Sequence, residues 1–161
     1  MKTTNTPETV TLGKMRRLLW LMGLVKIPMI AYTKPKLQAI DDEKVVATIR
    51  LRRRTKNHLN SMYFGALAVG ADVAAGLHAF YFAKKSGATI SFAFKSVNAV
   101  FLQRATTDIT FESKDGKIVS DAFEKALKSG ERVNQPVLVT AYNNLNEAVA
   151  TFNMEISVKV K

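Results

Sequence analysis

Asp72 is the only formally charged residue between Lys56 and Lys84. It lies in a run, Gly65-Ala-Leu-Ala-Val-Gly-Ala-Asp-Val-Ala-Ala-Gly-Leu-His-Ala79, that is small or apolar almost throughout. A carboxylate there is costly unless it is hydrogen-bonded or put to use. If the run is helical, the neighbours of Asp72 are Ala68, Val69, Ala75 and Gly76, and none has a side chain that can bond to it. Desolvation would raise its pKa, which is how a general base is tuned toward neutrality. The sequence leaves a structural reading open as well: a buried aspartate satisfied from elsewhere, or one on a locally exposed stripe. His78, six residues on, falls about 240° around an ideal helix and is expected to be a core or interface histidine.

Other chemistry is excluded by composition. The 161 residues contain no cysteine and two histidines, His58 and His78. There is therefore no thiolate nucleophile, disulfide or cysteine zinc site, and no metal centre is expected. G-x-S-x-G, the P-loop, G-x-G-x-x-G and H-E-x-x-H are all missing from the sequence.

The chain carries 24 Lys+Arg against 13 Asp+Glu, a net charge of +11, which favours anionic partners. Arg50, Arg52 and Arg54 alternate on what reads as one face of a strand, with Arg53 and Lys56 beside them. A solvated face or contacts to phosphate oxygens would both suit them. Nucleic acid is not expected, because no aromatic residues interleave the arginines.

The elements that must position these residues can be read from periodicity. Residues 1–10 are polar and threonine-rich and should fray. A helix is expected over 12–26, ending before Pro28. Its apolar run, Leu18–Val25, is too short to span a bilayer. The thirteen residues ahead of its basic cluster and the lack of a clean cleavage site argue against a signal peptide, so a cytoplasmic protein is expected. An amphipathic membrane-surface helix over 14–26, with Trp20, is a rival to the favoured reading, in which its Leu, Trp and Met side packs on the domain. Residues 27–42, with Pro28 and Pro35, read as an irregular connection.

From Lys44 the period becomes two, with Val45, Ala47, Ile49 and Leu51 on one face. Ser61–Ala83 follows as a long helix apolar on all sides, and therefore buried. Gly70 and Gly76 within it imply close approach of a sheet or another chain. Strands are expected over Thr89–Phe101, with a bulge near Lys95-Ser96, and over Thr107–Phe111. The stripe Val119, Ala122, Phe123, Ala126 and Leu127 marks a further helix, stopped by Gly130. Val137–Tyr142 and Ala148–Val160 form a hairpin about Asn143-Asn144-Leu145-Asn146. The result is one α+β domain over 1–161, with a mainly antiparallel sheet of about five or six strands.

A sheet wrapped around one long, small-residue helix resembles the hotdog fold. The stretch Asn57-His-Leu-Asn-Ser-Met-Tyr-Phe-Gly-Ala-Leu-Ala-Val-Gly-Ala-Asp72 is similar to that fold's thioesterase motif. In that motif an asparagine or histidine and a loop precede a His-Gly-Gly helix entry, with an acidic residue seven positions after the second glycine. Gly65 matches that glycine and Asp72 the acidic position; Tyr63-Phe64 stand where phenylacetyl-CoA-type thioesterases have His-Gly. The pattern is most similar to the hotdog branch called domain of unknown function 4442, through its N-terminal helix with Trp and Pro, its Asn-His element and its Gly-Ala-Leu opening.

The resemblance implies hydrolysis of an acyl-CoA or acyl-carrier-protein thioester, with coenzyme A as part of the substrate and no separate cofactor. Asp72 would serve as general base or nucleophile, the Gly65 amide would stabilise the oxyanion, and Asn57 would bond the substrate carbonyl or hold water. His58, Asn60, Ser61, Tyr63, Phe64, Arg52 and Arg54 would contact substrate. The site would lie between two protomers of a homodimer, itself able to pair into a dimer of dimers. A non-catalytic protein holding an acyl chain or other apolar ligand is the alternative, favoured by Tyr63-Phe64.

Overall fold

The computed structural model describes residues 9–161. The polar start expected to fray lies, up to residue 8, outside the described residues. Thr11 opens the first helix, α1 (Leu12–Leu21), its Oγ1 accepting from the Lys14 amide at 3.3 Å. One π-helical turn, Met22–Lys26, extends it to the expected stop.

Residues 27–42 are not the irregular connection the prolines suggest. Pro28 stands at the first position of a short helix, α2 (Pro28–Thr33), where a missing N–H costs nothing and the fixed φ suits the turn. Lys34, in the left-handed conformation at φ 51°, ends α2. Strand β1 (Lys36–Ile40) follows, its bulge after Leu37 hiding the period-two pattern.

Strand β2 (Val45–Ile49) buries Val45, Ala47 and Ile49 as read. It ends there, so Arg50, Leu51, Arg52 and Arg54 all lie beyond it rather than on a strand. The long helix, α3, runs Phe64–Ser86. It is followed by β3 (Ile90–Phe101), β4 (Ile109–Ser113), α4 (Gly116–Ser129), β5 (Val133–Tyr142) and β6 (Ala148–Val160). The six strands form one antiparallel sheet in the order β1-β2-β4-β5-β6-β3, which curls around α3 in the hotdog arrangement.

Why α3 is built of small residues is now visible. The Phe111 ring of β4 lies against Gly70 where any Cβ would be, and the Phe92 ring of β3 lies 3.4 Å from the Cβ position of Gly76. Close packing thus offsets the helix cost of glycine. Length and composition would let α3 cross a membrane, but 78% of the qualifying stretch is buried inside the molecule. It is the core helix.

Strand β3 differs from the rest. It bulges between Phe94 and Ser96 as expected and pairs along one side only, with β6. Val97, Val100 and Phe101 are exposed on it. The face of α3 beside it is the helix's least covered one, running through Gly65, Ala68, Val69, Asp72 and Phe80.

Candidate active site

The loop before α3 is built by its own polar side chains. The buried Thr55 hydroxyl donates to the Arg50 carbonyl at 2.8 Å and accepts from the Arg52 amide at 2.8 Å. Asn57 closes the next turn: its Oδ1 accepts from the Leu59 amide (2.9 Å), the Ser61 amide (3.2 Å) and the Ser61 hydroxyl (3.1 Å). Its Oδ1 is therefore fully engaged in shaping the loop, and only the Nδ2 group remains to meet a substrate. Tyr63 donates its amide to the Thr55 carbonyl at 2.8 Å, which sets the chain at the start of α3.

That start is uncapped. Tyr63 occupies the cap position with extended backbone and no side-chain bond to the helix, where Ser, Thr, Asp or Asn would be worth about 1 kcal/mol. Among the described residues the amides of Ala66 and Leu67 bond to the Tyr63 carbonyl, and those of Phe64 and Gly65 bond to nothing. Two free N–H groups at the positive end of a 23-residue helix form an anion-binding position. The Tyr63 ring folds over Gly65, 2.5 Å from where a Cβ would stand, and tilts against Phe64 at 4.8 Å between centroids. Both rings are largely exposed.

Asp72 lies seven residues after Gly65, about 20° short of two full turns, and so shares its face about 10 Å further along the axis. It is half-buried. Among the described residues no hydrogen bond or ion pair reaches its carboxylate. Its Oδ1 lies 3.7 Å from the Cβ position of Gly76, over the same bare patch of helix that Phe92 covers. Burial alone pushes its pKa up to about 6. An acceptor in this state can take a proton from water near neutral pH.

The model of a family described as a domain of unknown function (DUF4442) matches residues 15–158. The chain belongs to that family. No curated protein matches this DUF4442 chain in sequence. Among solved structures it is similar to a Pseudomonas aeruginosa protein of unknown function named a probable thioesterase, at 18% identity, TM-score 0.77, covering 97% of this chain and 100% of that one. A protein of unknown function from Chlorobaculum tepidum superposes at 12% identity and TM-score 0.80, covering 99% and 100%. A thioesterase from Haemophilus influenzae does so at 12% identity and TM-score 0.67, covering 96% and 94%. At such identities the likeness establishes the fold alone, the hotdog arrangement of one sheet curled around a long helix.

The remaining expected site residues of the DUF4442 chain divide into two groups. His58, Asn60 and Ser61 lie in the Asn57 loop beside the α3 start; His58 and Asn60 are exposed, and Ser61 is buried as a loop partner of Asn57. Arg52 and Arg54 face elsewhere. With Arg50 they line a cavity of about 550 Å³ whose other walls include Lys36, Gln38, Thr48 and Asp108, and whose lining includes neither Asp72, Asn57 nor Gly65. Within one chain the arginines therefore do not join the carboxylate.

Two features beside Gly65 and Asp72 escaped the sequence reading. The free amide of Phe64 could not be foreseen, since it depends on the missing cap. Phe92 was legible as an inward strand residue, but not as the wall beside Asp72. His78, as expected, is a core residue, with Nε2 3.0 Å from the Asp41 carbonyl and its ring stacked on Phe82 at 5.7 Å. Because a carbonyl only accepts, Nε2 carries the proton; burial holds the pKa of His78 below the usual value.

Proposed function

We propose that this protein hydrolyses an acyl thioester of coenzyme A or of an acyl carrier protein, in the cytoplasm, at sites formed between two copies of the chain. The observation that carries this reading is Asp72: half-buried, unpartnered, and on the same helix face as the free amides of Phe64 and Gly65. In the reaction Asp72 takes a proton from water, and the water oxygen bonds to the thioester carbon. The carbonyl oxygen becomes an oxyanion held by the Gly65 and Phe64 N–H groups. The carbon–sulfur bond then breaks and the proton passes to sulfur, leaving a carboxylic acid and a free thiol. The Asn57 amide nitrogen is the remaining donor for the substrate carbonyl or the water.

A single chain separates its parts too widely for this. About 10 Å along the helix lies between Gly65 and Asp72, whereas one carbonyl group must meet both within hydrogen-bond reach. Two antiparallel copies of α3 related by a two-fold axis near Ala68 would bring Asp72 of one against Gly65 and Asn57 of the other. Ala68 is small and exposed on that face, and the free apolar edge of β3 beside it suits pairing with a second copy. Arg52 and Arg54, remote from Asp72 in their own chain, are then available for phosphate groups of the carrier, and such dimers could pair again.

The second reading, a non-catalytic protein that holds an acyl chain or other apolar ligand, is favoured by Tyr63 and Phe64, whose rings cover the helix entry. A thiol-release assay over acetyl-, aromatic- and long-chain acyl-CoAs and acyl carrier proteins separates the two. Turnover that Asp72→Asn abolishes supports the hydrolase. Fatty-acid binding without turnover of any thioester would replace it with the binding reading.

A further inference from the structure

The N-terminal helices do not pack as their sequence suggests. α1 buries Met15 and Leu19, and the following turn buries Gly23. That face leaves Trp20 62% and Leu24 55% exposed, and Val25, at 75%, still more so. Met29 and Tyr32 of α2 are also more than half exposed. Five large apolar side chains within thirteen residues thus stand in water on two short helices, where the favoured expectation had Trp20 packed on the domain.

The charge around them has one sign. From residue 9 to residue 40 the chain has six basic residues, Lys14, Arg16, Arg17, Lys26, Lys34 and Lys36, and no acidic one. Tyr32 also shares the wall of an open cavity of about 640 Å³ with Arg52, Arg53 and Arg54, so the basic turn after β2 adjoins the same face. Between α1, α2 and β1 a second cavity of about 560 Å³ has Leu19, Trp20, Leu24 and Ile30 among its walls and Arg16, Lys34 and Lys36 around it. Apolar and aromatic tips ringed by cations match the boundary of a bilayer that carries anionic lipid: the tips enter the acyl region and the cations meet phosphates. A second copy is a poor occupant, because a two-fold contact would set this positive surface against itself.

We propose that the α1–α2 face is a membrane-docking surface for bilayers containing anionic phospholipid. Trp20 is the only tryptophan of the chain and reports directly. With vesicles of equimolar phosphatidylcholine and phosphatidylglycerol, its emission should shift to the blue and the protein should float with the lipid. With phosphatidylcholine alone neither should occur, and added salt should weaken the anionic binding. The exposed pair Leu24→Glu/Val25→Glu should lower partitioning at least tenfold, and Lys26→Glu about fivefold, both with unchanged melting.

Static Trp20 emission and no flotation on the anionic vesicles would overturn the proposal, as would flotation indifferent to the Leu24→Glu/Val25→Glu change. Emission already blue-shifted without lipid, and dependent on protein concentration, would assign the face to a second copy instead. Capture by an acidic carrier protein with no vesicle binding would assign it to a protein partner.

Discussion

The two halves of α3 treat polar groups in opposite ways. Toward its C-terminus the helix is tied to the turn between β1 and β2. His78 Nε2 donates to the Asp41 carbonyl at 3.0 Å, the Tyr81 hydroxyl donates to Asp42 Oδ1 at 2.8 Å, and Lys85 Nζ stands 2.6 Å from Asp42 Oδ2. Gly87, in the left-handed conformation at φ 68°, closes that end. At the other end, among the described residues, there is no cap, two amides are free, and Asp72 has no partner. The carboxylates register the contrast: Lys85 and then Tyr81 hold Asp42 below the usual carboxylate range, while burial pushes Asp72 up to about 6. This chain pairs its aspartates where it needs structure. The unpaired one is unsatisfied in one chain alone, as a group reserved for a ligand would be.

Asp72→Asn gives the largest effect expected. Removing the base should lower thioester turnover by about 10²–10⁴-fold, and the native protein should lose activity as pH falls through about 6. Stability should move the other way. Because the folded pKa of Asp72 lies above the unfolded one, protonation favours the fold, and native stability rises as pH falls from about 6 toward 3.8, the ordinary aspartate value. The asparagine variant lacks that window and should be more stable at neutral pH by up to about 3 kcal/mol, as denaturant melts would report. A variant both inactive and destabilised would make Asp72 a structural residue like Asp42.

Mixing variants tests whether the open half of the helix is completed by a second chain. Asp72→Asn and Asn57→Ala chains, each impaired alone, should recover about a quarter of native turnover when their dimers are exchanged, above what either gives by itself, since half the dimers are mixed and each has one intact site. No recovery would put both residues in one chain's site.

The sequence carried this contrast only in part. The alternation of β2, the stripe of α4 and the bulge in β3 were legible because each reflects one residue set facing one core. Asp72 was legible as an isolated charge at a set spacing from Gly65. The β1 strand was not, because five residues interrupted by a bulge leave no alternation, and Pro28 reads as a helix breaker unless its first-turn position is known. The exposure of Trp20 was hidden for a related reason: a narrow α1 seam of Met15 and Leu19 satisfies the core, and hydrophobicity does not say which apolar residues are surplus. The free amide of Phe64 was not legible, because it depends on an absence: Tyr63 stands at the cap position and gives the helix no side-chain bond.

In the buried middle of α3, Gly70→Ala should cost about 1–3 kcal/mol by overpacking, because Phe111 must leave its place against the helix. Asn57→Asp is a finer probe. It keeps the acceptor for Leu59 and Ser61 and replaces the Nδ2 donor with a charged carboxylate oxygen. Turnover should fall at least about tenfold, the worth of one hydrogen bond plus the repulsion of the oxyanion, with little change in melting. If melting falls as well, the role of Asn57 is to shape the loop.

The smallest effect belongs to the tied half. Tyr81→Phe removes one hydrogen bond to a carboxylate that Lys85 still holds at the surface, so it should cost about 1 kcal/mol or less and leave turnover untouched. Its pH dependence mirrors that of Asp72. The folded pKa of Asp42 is depressed, so the stability it contributes is present above the unfolded value and is lost as pH falls through the folded one. The Tyr81→Phe penalty should therefore shrink in acid, where the neutral acid is the weaker acceptor, just where the native protein gains from protonating Asp72. Two aspartates of one chain would then be told apart by the sign of a single titration. Should Tyr81→Phe slow turnover instead, the two halves of α3 do not act separately, and the division between an anchored end and an open one fails.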